Sequence, residues 1–379
     1  MSASKVSIEE KWNIGDIEIP QTDSFTHLGV TWKSNKTTPD VMENIKKARR
    51  TAYLLLRSGL HGLNGLDPPA SYKIIQIYVT PRLLHGLDAV VVTNQDLSQI
   101  DKFYKKLLRQ IQGLPDNTAS EAIYLLIGGV PIEAQIHRKA LSLFGCICRL
   151  PESHELKRLA KRQLATQYRN RHSWFRYIDN LADKYSINIY SALNLPDTGS
   201  RSTLKWLITP NCIDPHTHSL WQHCEGKRHR IEAATVRAKM LIGRFRTKEM
   251  EAIYKNNSKE MDLTCSLCKK GKENIKHIVV QCPSLDDARS EGISTLMDIY
   301  REDGLRAPMA SDELCSAILN GWGYMTSVAL VACSGSSVRP NSNINILTLS
   351  SEAAKNACLL CSQMCFKLAL KRDSILNIL

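Results

Sequence analysis

Apolar and polar residues alternate along Trp12–Ile19 and again along Phe25–Trp32, with a short polar stretch from Pro20 to Ser24 between them. A period of two predicts strands, and the spacing predicts that the two runs pair antiparallel. Such a pair is marginal by itself in water, so it must pack on something. At Thr38 the period becomes helical. Thr38 offers a cap, Pro39 sits in the first turn, and Asp40 and Glu43 follow as early acids. Val41, Ile45, Ala48, Ala52 and Leu55 then fall on one stripe.

Further helices are predicted at about 70–89, 97–111, 119–127 and 131–150. Gly113-Leu-Pro115 and Gly128-Gly-Val-Pro131 mark breaks between them. The helical pattern continues beyond 151, near 288–302 and 312–320, and in a last helix over 351–372 after a Ser/Gly/Pro/Asn-rich linker, Ser334–Asn345. The expected fold class is mainly α: helical bundles, a short N-terminal β element and a small metal-binding unit. The segments divide as 1–34, 35–150, 151–256, 257–292 and 293–379.

Composition adds one unusual quantity. Fifty Lys and Arg stand against 37 Asp and Glu in 379 residues, a formal net charge of +13. That surplus favours a polyanionic partner. It is regional. Residues 201–250 carry ten basic against four acidic residues, and residues 151–180 carry seven against three, so these stretches hold ten of the thirteen excess charges. Lys157, Arg158, Lys161 and Arg162 cluster on one helical face, and Arg230, Arg237 and Arg244 recur every seven residues. These seven are candidate phosphate contacts. Trp174 has Ile178, Leu181 and Tyr185 at helical spacing and is expected in a core rather than under a base. No apolar run approaches the roughly 18 residues a spanning helix needs, and residues 1–10 show no apolar signal core, so an intracellular protein (nucleus or cytoplasm) without membrane association is expected.

The twelve cysteines are not spaced as a disulfide framework. Four ligand-type residues form a clear pattern instead. Two residues lie between Cys265 and Cys268, eight between Cys268 and His277, and four between His277 and Cys282. Two thiolates in a tight turn, closed by an imidazole and a third thiolate, suit a structural zinc ion with no open coordination position. Lys269, Lys270 and Lys272 lie in the loop between the ligand pairs and are further candidate phosphate contacts. Cys358, Cys361 and Cys365 sit inside an amphipathic helix without a nearby histidine and are expected to be buried apolar side chains. Cys212, His216, His218, His223 and Cys224 lack a knuckle turn. With Trp206 and Trp221 beside them, they are expected to pack rather than bind metal.

The metal unit and its flanks resemble one family. Arg237–Phe245 precedes the Cys265-x2-Cys268 turn, and Glu273–Leu285 with Arg289 completes it. This is similar to the Cys-Cys-His-Cys region near the end of the reverse transcriptase of non-LTR (LINE-like) retrotransposons. Upstream, Phe25–Val30 resembles the strand motif at the primer grip of those polymerases. Pro81–Leu87, Leu107–Pro115, Ala122–Ala134, Ile136–Arg138 and Ser173–Phe175 resemble their thumb and post-thumb helices. The resemblance spans about 1–290. It implies a palm-derived β element at 1–34, a thumb-like domain at 35–150, a basic helical linker at 151–256, a CCHC zinc knuckle at 257–292 and a helical tail at 293–379.

The catalytic part of that family has no counterpart here. Two-metal polymerisation needs clustered carboxylates, which the family carries in a Tyr-x-Asp-Asp turn upstream of the strand motif. No such turn occurs, and the one Asp-Asp pair is Asp286-Asp287. No Pro-Asp of a nuclease follows Cys282; Arg339-Pro-Asn341 is the nearest phrase. The resemblance therefore implies an RNA- or DNA-binding C-terminal portion of a reverse transcriptase that does not polymerise by itself and has no catalytic residue. The alternatives are a zinc-stabilised protein-interaction scaffold, or part of a longer, active RNA-directed DNA polymerase.

Overall fold

The computed structural model describes residues 12–19, 22–33, 40–60, 65–166, 173–185, 187, 217–255, 261–320 and 349–376. The predicted linker Ser334–Asn345 and residues Trp206, Cys212 and His216 lie outside the described residues, as do residues 1–10. The fold is mainly helical with a short β element.

The strands are β1 (Trp12–Ile14), β2 (Ile17–Ile19), β3 (Ser24–His27) and β4 (Val30–Lys33). The two alternating runs do not pair with each other, contrary to the expectation above. Each folds on itself, β1 with β2 and β3 with β4. Turn chemistry is the reason. Gly15 (φ +60°) and the Leu28-Gly29 pair (φ +48° and +78°) form two-residue loops in the middle of each run. Such loops suit the right-handed strand twist, and a hairpin is the shorter closure.

The helices are α1 (Val41–Arg57), α2 (Pro68–Ile74), α3 (Thr80–Leu83), α4 (Asn94–Gln112), α5 (Ser120–Ile127), α6 (Ile132–Cys148), α7 (Glu155–Thr166), α8 (Trp174–Lys184), α9 (Ser219–Gln222), α10 (Arg228–Leu241), α11 (Lys248–Tyr254), α12 (Asp286–Glu302), α13 (Ser311–Asn320) and α14 (Ser351–Ile375). A wide π turn, Ile75–Val79, joins α2 to α3. The cap and first-turn proline read at Thr38 and Pro39 lie outside the described residues. Asp67 caps α2, its carboxylate accepting the Ala70 amide at 2.8 Å, with prolines in the first turn. Gly128 closes α5 at φ +65°.

The chain forms two compact units. The first comprises residues 1–48, 81–100 and 135–208, the second residues 49–80, 101–134 and 209–379. In the first unit, Ala140, Leu141, Phe144 and Cys148 of α6 meet Ala160 and Leu164 of α7 and Ile178, Leu181 and Ala182 of α8. Trp174 packs against this core and donates from its indole to the Asp88 carbonyl at 3.0 Å, so it is a packing residue as expected. The tip of the β3–β4 hairpin is pinned. His85 Nε2 lies 3.0 Å from the Leu28 carbonyl, and Lys47 donates to the Gly29 carbonyl at 2.9 Å. Buried Asn44 donates to the Leu83 and His85 carbonyls and so holds the segment that carries His85.

In the second unit, Trp221 and Leu220 of α9 pack with Ile231, Ala234 and Ala238 of α10, Leu114 and Leu126. A larger core follows. Met240, Cys265, Ile278, Val279, Cys282 and Leu285 share it with Leu296 and Tyr300 of α12, Ile318 of α13 and Cys361, Met364, Cys365 and Leu368 of α14. The ligand arms and the helices after them contribute to one core. Short metal loops have little apolar surface of their own, and the surrounding helices supply it.

Gly86 tests the pinned hairpin. It sits at φ +72°, and a Cβ there would lie 2.6 Å from a Val30 methyl. Gly86→Ala is expected to destabilise the first unit by about 1–3 kcal/mol, seen as a lower urea midpoint. An unchanged midpoint would mean the tip is not held there.

Candidate metal centre

Two arms bring the four ligand residues together. In the first, Cys265 starts a tight turn: Lys269 N–H donates to the Cys265 carbonyl and Cys265 N–H to the Gly271 carbonyl, both at 3.0 Å. Lys269 (φ +55°) and Gly271 (φ +67°) turn the chain back. The positive φ is what calls for glycine at 271; a Cβ there would lie at ordinary contact distance, 3.4 Å, from the His277 ring. In the second arm, His277–Gln281 forms a π turn, and Cys282 N–H donates to the His277 carbonyl at 2.6 Å. The spacing explains this geometry. Side chains five residues apart diverge on an α-helix, whereas the wider π turn brings residues i and i+5 onto one side. The Asn274 side chain starts the arm by accepting the His277 amide at 2.8 Å.

The ligand atoms of Cys265, Cys268, His277 and Cys282 all lie within 4.8 Å of one another and could hold a metal ion. Cys265 Sγ is 3.9 Å from Cys282 Sγ, and Cys268 Sγ is 3.3 Å from His277 Nε2. A tetrahedral ion with metal–sulfur bonds of about 2.3 Å places sulfurs about 3.8 Å apart, so the group has the right size. Four protein ligands leave no open position.

Electrostatics at the ligands act in opposite directions. Burial pushes the Cys282 thiol up to about 12. Burial, followed by the nearby Arg289 charge, lowers the His277 pKa and keeps its imidazole neutral, the form that ligates. Burial also acts upward on Cys268, but the Lys270 backbone and the Cys265 and Cys282 thiols outweigh it, and its pKa is lowered. Arg289 is buried and donates to the Cys282 carbonyl at 2.7 Å, fixing the end of the second arm.

Among the described residues no second group of three such ligands converges. His218 accepts the Leu220 amide and caps α9. Burial, then the Arg237 charge, lowers its pKa to about 4. Cys358, Cys361 and Cys365 are buried, as expected.

The basic candidates divide. Lys269, Lys270 and Lys272 are exposed around the metal turn, Lys272 pairing with Glu249 at 2.6 Å. Arg158 and Arg162 are exposed on α7. Two residues were misread. Lys157 is buried beside Ala160 and Leu164, with its ammonium 3.0 Å from Glu152, which also takes Lys161 at 2.6 Å. Its long apolar stem lets it join the buried face, while Leu156 and Leu159 point outward. Arg237 is fully buried. Its guanidinium donates to the Leu319 carbonyl at 3.1 Å, the Cys358 carbonyl at 3.0 Å and Ser362 Oγ at 3.3 Å. It joins α10 to α13 and α14 and is not a surface contact. The expected arginine stripe does not form, because α10 ends at Leu241. Arg230 pairs with Glu225 at 2.6 Å, and Arg244 bonds the Tyr254 hydroxyl.

A further basic face escaped the sequence reading. On α1, Arg50, Tyr53, Leu54 and Arg57 are all exposed at positions i, i+3, i+4 and i+7, with Leu54 at 67%. The signal was present as the reverse of the buried stripe, Val41, Ile45, Ala48 and Ala52.

Replacing Cys265 or His277 is expected to abolish stoichiometric metal uptake, read by metal analysis of the purified protein. Uptake should weaken as pH falls, because protons compete for the thiols. Arg237→Ala should cost about 3 kcal/mol in chemical unfolding, because several buried bonds to a charged group are lost. No protein-family model matches the chain and no curated protein does, so the assignment of this site rests on its own residues.

Proposed function

We propose that this chain is a nucleic-acid-binding, zinc-stabilised region of the reverse-transcriptase type it resembles, acting inside the cell and not polymerising by itself. The observation that carries the reading is the four-ligand group with Lys269 and Lys270 exposed on the turn between its ligand pairs. A metal bound there would hold that basic turn rigid, so phosphate contact would cost little ordering entropy. Three thiolates and an imidazole favour zinc among the divalent ions. The exposed Arg50 and Arg57 on α1, flanking Tyr53 and Leu54, offer a second basic track with an aromatic ring that could stack on a base. RNA and DNA are both admitted by this chemistry.

A second reading is a zinc-stabilised protein-interaction scaffold. The burial of Arg237 and Lys157 favours it, since part of the positive charge serves the interior. No helix among the described residues is long and apolar enough to cross a membrane, so neither reading invokes a spanning segment.

One titration separates the two. Fluorescence anisotropy with single-stranded RNA and with duplex DNA should show affinity falling steeply with salt. Lys269→Ala with Lys270→Ala, or Arg50→Ala with Arg57→Ala, should flatten the log–log salt slope by roughly 0.7–0.9 per contact removed. Absence of binding at low salt, or binding indifferent to all four substitutions, would sink the nucleic-acid reading and leave the scaffold.

A further inference from the structure

Besides Arg289, two charged side chains that are not ligands are buried beside the ligand turn. Glu273 is 1% exposed and lies between the ligand arms. One carboxylate oxygen accepts the amide of Ser266, the residue after Cys265, at 2.9 Å. The other accepts Arg372 Nη2 at 2.9 Å. The Glu273 amide donates to the Leu263 carbonyl at 2.8 Å, so its backbone is tied to the segment entering the cysteine turn. Arg372 stands in the last turns of α14 and is itself buried, over the Phe245 ring at 5.6 Å. Its second terminal nitrogen reaches Asp373 at 3.2 Å. The helix that carries it also supplies Cys361, Met364, Cys365 and Leu368 to the core holding Cys265 and Cys282.

A buried ion pair gains little net stability, because desolvation of both partners offsets their attraction. What this pair does supply is orientation. Ser266 lies inside the Cys265-x2-Cys268 turn, and its amide direction sets where both thiols point. A carboxylate held by a guanidinium on a packed helix cannot swing away from that amide. Outer-shell groups of this kind tune metal sites through ligand geometry.

We propose that Glu273 and Arg372 are positioning residues of the metal centre, so that metal affinity depends on docked α14 and the docking of α14 depends on the metal. This rests on the metal reading of Cys265, Cys268, His277 and Cys282. The reciprocity follows from linkage: if docking strengthens metal binding, metal binding must strengthen docking by the same factor.

The test uses the full chain and zinc alone, with affinity measured by competition against a chromogenic chelator. Glu273→Gln and Arg372→Met are expected to weaken zinc binding by about 10–100-fold each. Arg372→Lys should recover part of the loss. The double variant should lose no more than the weaker single one, because both act through one contact. Hydrogen exchange on the unaltered chain gives a readout that needs no variant. Removing zinc should raise exchange across residues 351–375 together with residues 265–282. Zinc affinity within about twofold of the parent in both single variants, or exchange at 351–375 indifferent to zinc, would overturn the proposal. A parent chain that takes up no zinc would overturn the metal reading itself, which the same titration reports separately.

Discussion

Cys265 and Cys282 are walls of an apolar core as well as candidate ligands, and the C-terminal half of the protein depends on that double use. A metal turn of this length could not exclude water around its own thiols. Here Ile278, Val279 and Leu285 place the second arm against Leu296, Tyr300, Ile318 and Leu368, so helices distant in sequence provide the dry side of the site. The ligand arms in turn fill space between α12, α13 and α14 that those helices would otherwise leave open. Metal centre and helical bundle are therefore one folding problem.

The positive charge of the chain divides along the same line. Arg237, Arg289 and Arg372 all lie inside the second unit, and each binds backbone carbonyls or a carboxylate. Arginine suits this task because its planar fork stays charged and spreads its donors over several acceptors. Burial and the three neighbouring thiols oppose each other at Arg237, and the thiols prevail, so its pKa is raised. Charge counted along the chain thus overstates charge on the surface. Exposed basic residues remain around Lys269 and Lys270, at Arg50 and Arg57 on α1, and at Arg158 and Arg162 on α7.

Much of the fold is legible in the sequence wherever a single local rule operates. The helical period beginning at Val41 yields α1, and Gly113 and Gly128 stop α4 and α5 where the breaks were read. The four-ligand spacing also follows from local chemistry. Strand pairing was misread, because an alternating run reports a period and not a partner; the Leu28-Gly29 turn decided it. The fates of Lys157 and Arg237 were hidden for a different reason. Each depends on a partner distant in sequence or on which side of its helix meets a core, and charge periodicity is blind to both. The shared core around the ligands was equally invisible, since Cys361 and Cys365 on α14 look like an ordinary amphipathic pattern.

The π turn at His277–Gln281 carries a consequence for how this protein can vary. Its extra residue sets the angle between His277 and Cys282. Deleting one residue would let the arm relax to an ordinary helical turn and rotate Cys282 by about 100° away from its partners. Substitution at exposed Gln281, by contrast, leaves that angle untouched. Descendants of this sequence can therefore vary at Gln281 while the length of the arm stays frozen, and an insertion or deletion there would mark a lineage that has given up the four-ligand group.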